Sequence, residues 1–145
     1  MMISTRGRYA LRVLVDLAEH DNEGYLPLKE IAARQEISLK YVEQVMSLLS
    51  ANGLVATAHG KGGGYRLNRD PVDYRVGDIL RATEGTLAPV ACLEYAPNDC
   101  PRAAECSTLY IWEGLFEAVN SYLDSITIQD IVDRNAGSLG GDYCI

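Results

Sequence analysis

Apolar positions recur at helical spacing over much of the chain, and the breaks between those stretches define its elements. Ala10, Val13, Leu14, Leu17 and Ala18 fall three or four apart, which predicts a helix over about 6–20 with Ser4 or Thr5 as its cap. The polar turn Asp21-Asn22-Glu23-Gly24 ends it. Pro27 then opens a short helix, Leu28–Gln35, with Leu28, Ile31 and Ala32 inward. Ser38 precedes a third helix, and its hydroxyl can accept an unpaired first-turn N–H. Val42, Val45, Met46 and Leu49 give that helix one buried face, and Gly53 stops it. Two strands follow, over about 54–58 and 65–67, around the loop His59-Gly60-Lys61-Gly62-Gly63-Gly64.

A short helix, a tight turn, a longer helix and a two-stranded hairpin are the order of a winged helix-turn-helix. The expected fold is therefore mainly α with a small β-wing. The N-terminal end of the third helix leaves Leu39, Lys40, Tyr41, Glu43 and Gln44, many of them outward, where a recognition helix reaches base edges. Glu43 can accept from cytosine N4, and Gln44 can pair with adenine. The glycine-rich loop would be the wing, with His59, Lys61 and Gly62 against a minor groove or phosphates. A flexible hairpin loop is the lesser alternative, and the place of the loop directly after a helix-turn-helix favours the wing. It is not a phosphate-binding P-loop, because it has no Gly-Lys-Ser/Thr ending and leads into no helix. Arg6 and Arg8, beside the first helix, suit phosphate contacts.

The second half is organised differently. Residues 76–83 read as a short helix stopped by Gly85. Periodicity then vanishes over about 86–107, where Pro89, Pro97 and Pro101 argue for a loop. A loop of that length in a compact domain implies a function or a tether. A long helix follows over about 108–126. Leu109, Trp112, Phe116, Val119, Leu123 and Ile126 form a heptad-spaced seam along it, expected to pair with a second copy. Thr127 and Asp130 form a capping box for a short last helix, and a glycine-rich tail ends in Tyr143, Cys144 and Ile145. This divides the chain into a reading head, 1–75, and a sensor loop with a dimerisation helix, 76–145.

The net charge of −7 at first opposes DNA binding. Residues 1–75, however, carry ten Lys and Arg against nine Asp and Glu, whereas residues 76–145 carry three against eleven. The head can present a local basic surface, and the acidic half should face elsewhere. No apolar run is long enough to span a bilayer, so a cytoplasmic location is expected. Cys92, Cys100 and Cys106 cluster in the loop, and such clustering in a cytosolic chain favours a metal or redox site over a structural disulfide. No nucleophile–base pair or carboxylate pair points to an enzyme. A small electron carrier would leave the winged helix unused.

Several stretches together resemble the Rrf2 (Rrf-two) family of bacterial transcription regulators. They are ISTRGRYALRVLVDLA, EISLKYVEQVMSLLSANGLV, GKGGGYRL and VGDILRATEG, followed by clustered cysteines and a tryptophan-bearing helix. The likeness runs from Met2 to about residue 132. It implies a homodimeric, sequence-specific repressor on a pseudo-palindromic double-stranded operator, contacted by Ser38, Lys40, Tyr41, Glu43 and Gln44 on the helix and His59, Lys61 and Gly62 on the wing. In iron–sulfur members of the family, three cysteines of this loop bind the cluster. Carried over, these are Cys92, Cys100 and Cys106, with a 2Fe–2S cluster ahead of 4Fe–4S. The position three residues after the last cysteine, a histidine in some relatives, is Leu109 here, and position 8, near a carboxylate ligand in others, is Arg8. Glu94, Asp99, Glu105, His20, Cys144 or an exogenous thiol remain as a fourth ligand. The alternative within the family is a cluster-free regulator that acts in complex with cysteine synthase, its acidic half serving as the docking face.

Overall fold

The computed structural model describes residues 2–140, with side chains as far as Ser138. Six helices and one hairpin follow in the order α1 (Thr5–Glu19), α2 (Leu28–Gln35), α3 (Leu39–Ala51), β1 (Val55–Ala58), β2 (Gly64–Leu67), α4 (Val76–Glu84), α5 (Leu109–Asp124) and α6 (Ile128–Gly140). The expected caps form. Gly7 N–H donates to Ser4 Oγ at 3.2 Å, and Tyr41 N–H donates to Ser38 Oγ at 3.2 Å. At α6 the capping box closes both ways, from Asp130 N–H to Thr127 Oγ1 and from Thr127 N–H to Asp130 Oδ2.

One buried cluster holds the head together. Ala10, Val13, Leu14 and Leu17 of α1 meet Ile31 of α2, Val42, Val45, Met46 and Leu49 of α3, and Val55 and Leu67 of the hairpin. Ile79 of α4 and Ile128 of α6 are fully buried in the same cluster, so residues beyond 75 complete the core of the head. A second, smaller cluster of Val76, Leu80 and Leu87 lies beneath α5.

Polar ties fix the helices' relative positions. Asp16 on α1 is only 2% exposed and receives Arg34 of α2 through Nε and Nη2, the latter at 2.7 Å. Gln35 Nε2 donates to the same carboxylate at 2.8 Å. The carboxylate in turn holds the Arg34 guanidinium's pKa above its ordinary value. At the other end of α1, Ser4 donates from both N–H and Oγ to Glu84 Oε1, at 2.8 and 2.7 Å, joining α1 to the end of α4. Arg81 of α4 pairs with Asp124 of α5 at 2.6 Å.

The wing is anchored at its base. β1 and β2 pair antiparallel, with Val55 opposite Leu67 and Ala58 opposite Gly64. Leu26 and Tyr65 exchange both backbone hydrogen bonds at 2.9 Å, which adds a third short edge. Gly64 adopts φ +151°, and a Cβ there would run into the Leu26 carbonyl. Tyr74, 1% exposed, donates its hydroxyl to Leu54 O at 2.8 Å beneath the hairpin. Burial raises its phenol pKa.

Two expectations change. The heptad seam is divided, because Phe116, Leu123 and Ile126 pack on the chain's own second cluster. The amphipathic α4 supplies the intramolecular partner that the spacing alone did not reveal. The large apolar side chains that α5 exposes are instead Tyr110, Ile111, Leu115 and Tyr122, off the packed stripe. The last helix is also longer than expected, running through residues read as tail. Ile131 and Val132 pack against the main core, and Asn135 Nδ2 donates to Glu19 Oε2 at 3.3 Å, so its first turns are held by α1. Tyr143, Cys144 and Ile145 lie outside the described residues.

Two outcomes follow from this packing. Gly64→Ala should destabilise the chain by about 1–3 kcal/mol, as overpacking against fixed backbone does, measured by urea unfolding. Arg34→Ala should cost about 1.5–3 kcal/mol, because it strips a charge-assisted bond from a buried carboxylate. Combining it with Asp16→Ala should cost less than the two single changes together, whereas additive costs would show that the pair is not coupled.

Candidate nucleic-acid interface

α3 is held by its apolar face, so its other face is free. Lys40, Glu43, Gln44 and Ser47 recur at three, one and three and are all exposed, with Leu39 40% exposed beside them. Ser47 continues the stripe one turn beyond the sequence reading, which stopped at the N-terminal end. The turn into α3 is tight. Glu36 sits in the left-handed region at φ 54°, and Ile37 N–H reaches Ala32 O at 3.1 Å. Ser38, exposed, works as the N-cap.

Tyr41 stands differently from its neighbours. It is half-buried, and its ring meets Tyr9 edge-on at 5.2 Å between centroids. Arg12 lies over the other ring of the pair, 5.2 Å from the Tyr9 centroid. Tyr41 therefore ties α3 to α1 whatever else it touches. Arg6 is exposed in the first turn of α1 and shares a surface groove with Ser4, Tyr41 and Gln44. Arg8, also exposed, donates to Thr5 Oγ1 at 3.0 Å.

The wing turn projects His59, Lys61 and Gly62 into solvent. Gly63 N–H donates to Gly60 O at 3.0 Å, and Gly62 adopts φ +79°, so this is a closed turn and not a loose loop. Arg66 stacks over Tyr25 at 5.5 Å behind the turn.

Charge on this face is uncommitted. Among the described residues Arg34 and Arg81 make the arginine–carboxylate pairs, each to a neighbouring helix and each also within its own. Arg6, Lys29, Lys40 and Lys61 are exposed and in no ion pair among the described residues. Lys29, in the first turn of α2, went unnoticed in the sequence. Its signal would have been a cation beside the α2 N-terminus, where backbone N–H groups already favour phosphate.

The loop between α4 and α5 begins against α1. Leu87 is buried in the second cluster, and Thr86, Pro89, Val90 and Ala91 line a groove with Met2, Ile3 and Glu84. Cys92, in a 3₁₀ turn, and Cys100 are half-buried, while Cys106 is exposed. Cys106 Sγ lies 3.6 Å from Thr108 Oγ1, and that contact lowers its thiol pKa. Among the described residues the three thiols are not gathered, and no three Cys, His, Asp or Glu side chains stand close enough to hold a metal. Glu94, Asp99 and Glu105 are exposed. His20 is engaged at the end of α1, with Nδ1 2.8 Å from Asp16 O. Cys144 lies outside the described residues. Three soft thiol donors suit iron, but the fourth position has no evident side chain.

The fold has close counterparts. The family model Rrf2, described as an iron-dependent transcriptional regulator, matches residues 3–134. The HTH-type transcriptional regulator IscR of Photobacterium profundum is 36% identical over 142 residues, covering 97% of this chain and 81% of that protein. The structure of CymR, the global cysteine regulator of B. subtilis, superposes with TM-score 0.75 at 36% identity, covering 92% of this chain and 98% of CymR. T. potens IscR superposes with TM-score 0.77 at 35% identity, covering 99% and 94%. No helix among the described residues is long and apolar enough to cross a membrane. A winged helix with an open reading face, matched over nearly its whole length by these regulators, belongs to the Rrf2 family: the chain is a DNA-binding transcriptional regulator and not an enzyme.

Proposed function

We propose that the chain is a homodimeric, cytoplasmic, sequence-specific repressor whose operator affinity is set by the chemistry of Cys92, Cys100 and Cys106. The observation that carries the DNA half is the set of uncommitted cations, Arg6, Lys29, Lys40 and Lys61, around an exposed α3 stripe. Lys40 and Lys61 would neutralise phosphates on either side of the groove, with Arg6 and Arg8 flanking them. Glu43 and Gln44 would read base edges. Ser38 and Tyr41 would set the angle of α3, and His59 and Gly62 would let the wing approach the backbone. Two copies double these contacts, which offsets the near-neutral charge of a single head. The exposed Tyr110, Ile111, Leu115 and Tyr122 face of α5 suits pairing with a second copy, since such side chains anchor interfaces.

The sensing half rests on donor chemistry. Three thiols in one loop, one of them acidified, fit three positions of an iron–sulfur cluster, 2Fe–2S ahead of 4Fe–4S, with the fourth ligand from outside the described residues or from an exogenous thiol. Gathering them would reorder a loop that already shares a groove with Ile3, just before α1, and Glu84, the last residue of α4. A second reading is favoured by the ungathered thiols themselves. In it the chain is a cluster-free regulator like the cysteine regulator it resembles, acting through cysteine synthase.

An operator selected from random duplexes gives the test. Lys40→Ala and Lys61→Ala should each weaken binding to all sequences and lower the salt dependence by about one unit of slope per lost phosphate contact. Gln44→Ala should cost about 1–3 kcal/mol at one base position only. Unchanged binding by the Lys40→Ala/Lys61→Ala double variant would sink the reading face. Protein purified without air should be brown and should change operator affinity when the cluster is removed. Colourless protein whose affinity survives Cys→Ser substitution at all three positions favours the second reading.

A further inference from the structure

The helices of the head keep their large apolar side chains inside, with one exception. Among the described residues, the exposed ones are Met2 before α1, Val72 in a 3₁₀ turn, Tyr95 in the cysteine loop, four on α5, and Leu39. Leu39 is the first residue of α3 and is 40% exposed. A single exposed leucine is ordinary on a protein surface. What sets this one apart is its place.

The start of α3 has its apolar anchors without Leu39. Ile37, just before the Ser38 cap, and Val42, at the fourth helical position, are both buried in the main cluster. Those two positions fix how a chain enters a helix. Leu39 belongs to neither apolar cluster. The fold therefore leaves an alkyl side chain in water at the tip of the exposed α3 stripe. Glu43 lies one turn further along the same side of the helix. Lys40, the next residue, is exposed and in no ion pair among the described residues.

The N-terminal end of a recognition helix meets base edges in the major groove. Those edges are donors and acceptors, and they carry one alkyl group, the C5 methyl of thymine. A leucine can neither donate nor accept. Against a cytosine amino group it would cover a donor and leave it unpaired, whereas against a thymine methyl it removes two alkyl surfaces from water. We propose that Leu39 is a specificity-determining residue, seated on the C5 methyl of one thymine in each half of the operator. The inference rests on α3 as the reading helix. Glu43 and Gln44 discriminate by hydrogen bonds, and Leu39 adds an apolar contact to the same face.

The test uses the full-length chain and the operator selected from random duplexes, with deoxyuridine in place of thymine at one position at a time. This exchange removes a methyl group and keeps base pairing and charge. Wild type should lose about fourfold in affinity at one thymine of each half-site, as expected for one buried methyl-sized group. Leu39→Ala should bind the unmodified operator more weakly, unfold at the same urea concentration as wild type, and be indifferent to uracil at that position. Leu39→Met, which keeps an apolar side chain, should regain the sensitivity, and a Met variant as indifferent as Ala counts against the proposal. If Leu39→Ala keeps the wild-type sensitivity, or if no thymine methyl matters to wild type, the inference is overturned. It falls alone when Gln44→Ala still relaxes one base position. Unchanged binding by the Lys40→Ala/Lys61→Ala double variant overturns the reading face and this inference with it.

Discussion

The enclosure of α1 is the constraint on which the other elements depend. α2, α3, α4, α6 and β2 all pack against this one helix. Its apolar face, Ala10, Val13, Leu14 and Leu17, is almost wholly withdrawn from water. A helix enclosed so fully leaves little room for polar groups, and the one it carries inside, Asp16, must be fully bonded. Arg34 and Gln35 do this, and in doing so they set the rotation of α2, which leads into α3. Replacing a buried ion pair by apolar residues is often neutral for stability, whereas removing one partner is not. The pair is better understood as fixing the angle of the helix-turn-helix than as a large source of stability.

The same helix connects the two ends of the molecule. Its first turn is tied to α4 through Ser4 and Glu84, and the start of the cysteine loop packs against Ile3 and Glu84. One turn on, Arg6 borders the groove that Tyr41 and Gln44 share, and Tyr9 holds Tyr41. The cysteine loop and the exposed face of α3 thus border neighbouring positions, Ile3 just before α1 and Arg6 and Tyr9 within it. This is physical contiguity. It becomes coupling only where the loop has two arrangements that bear differently on that turn.

Much of this was legible in the sequence because it is local. Helix caps at Ser4, Ser38 and Thr127, the apolar faces of α1 and α3, and the hairpin around residues 59–64 follow from spacing of a few residues. What escaped depends on contacts between distant positions. Asp16 and Arg34 are eighteen residues apart, and Ser4 and Glu84 eighty. Neither pair has a periodic signature. The seam on α5 was visible as a heptad, but periodicity states only that a stripe is apolar and not which surface covers it. Here α4 takes Phe116 and Leu123, and the free face is the one bearing Ile111 and Leu115. In the cysteine loop, clustering singled out Cys92, Cys100 and Cys106 but said nothing of how they lie, and the fold leaves them ungathered.

Charge placement shows how an acidic chain can serve as a DNA-binding protein. Whole-chain charge governs long-range attraction, which at physiological salt is screened beyond about 8 Å. Within that distance the local face decides. Arg34 and Arg81 neutralise carboxylates inside the fold, while Lys40 and Lys61 are exposed and make no ion pair among the described residues. Glu113, Glu117 and Asp133 are exposed on α5 and α6, in the half of the chain that carries the acidic excess. Repulsion between that half and phosphate disfavours approach through it, which leaves the head as the side open to DNA. Specificity then costs affinity for random DNA, a trade that suits a regulator with few sites among many.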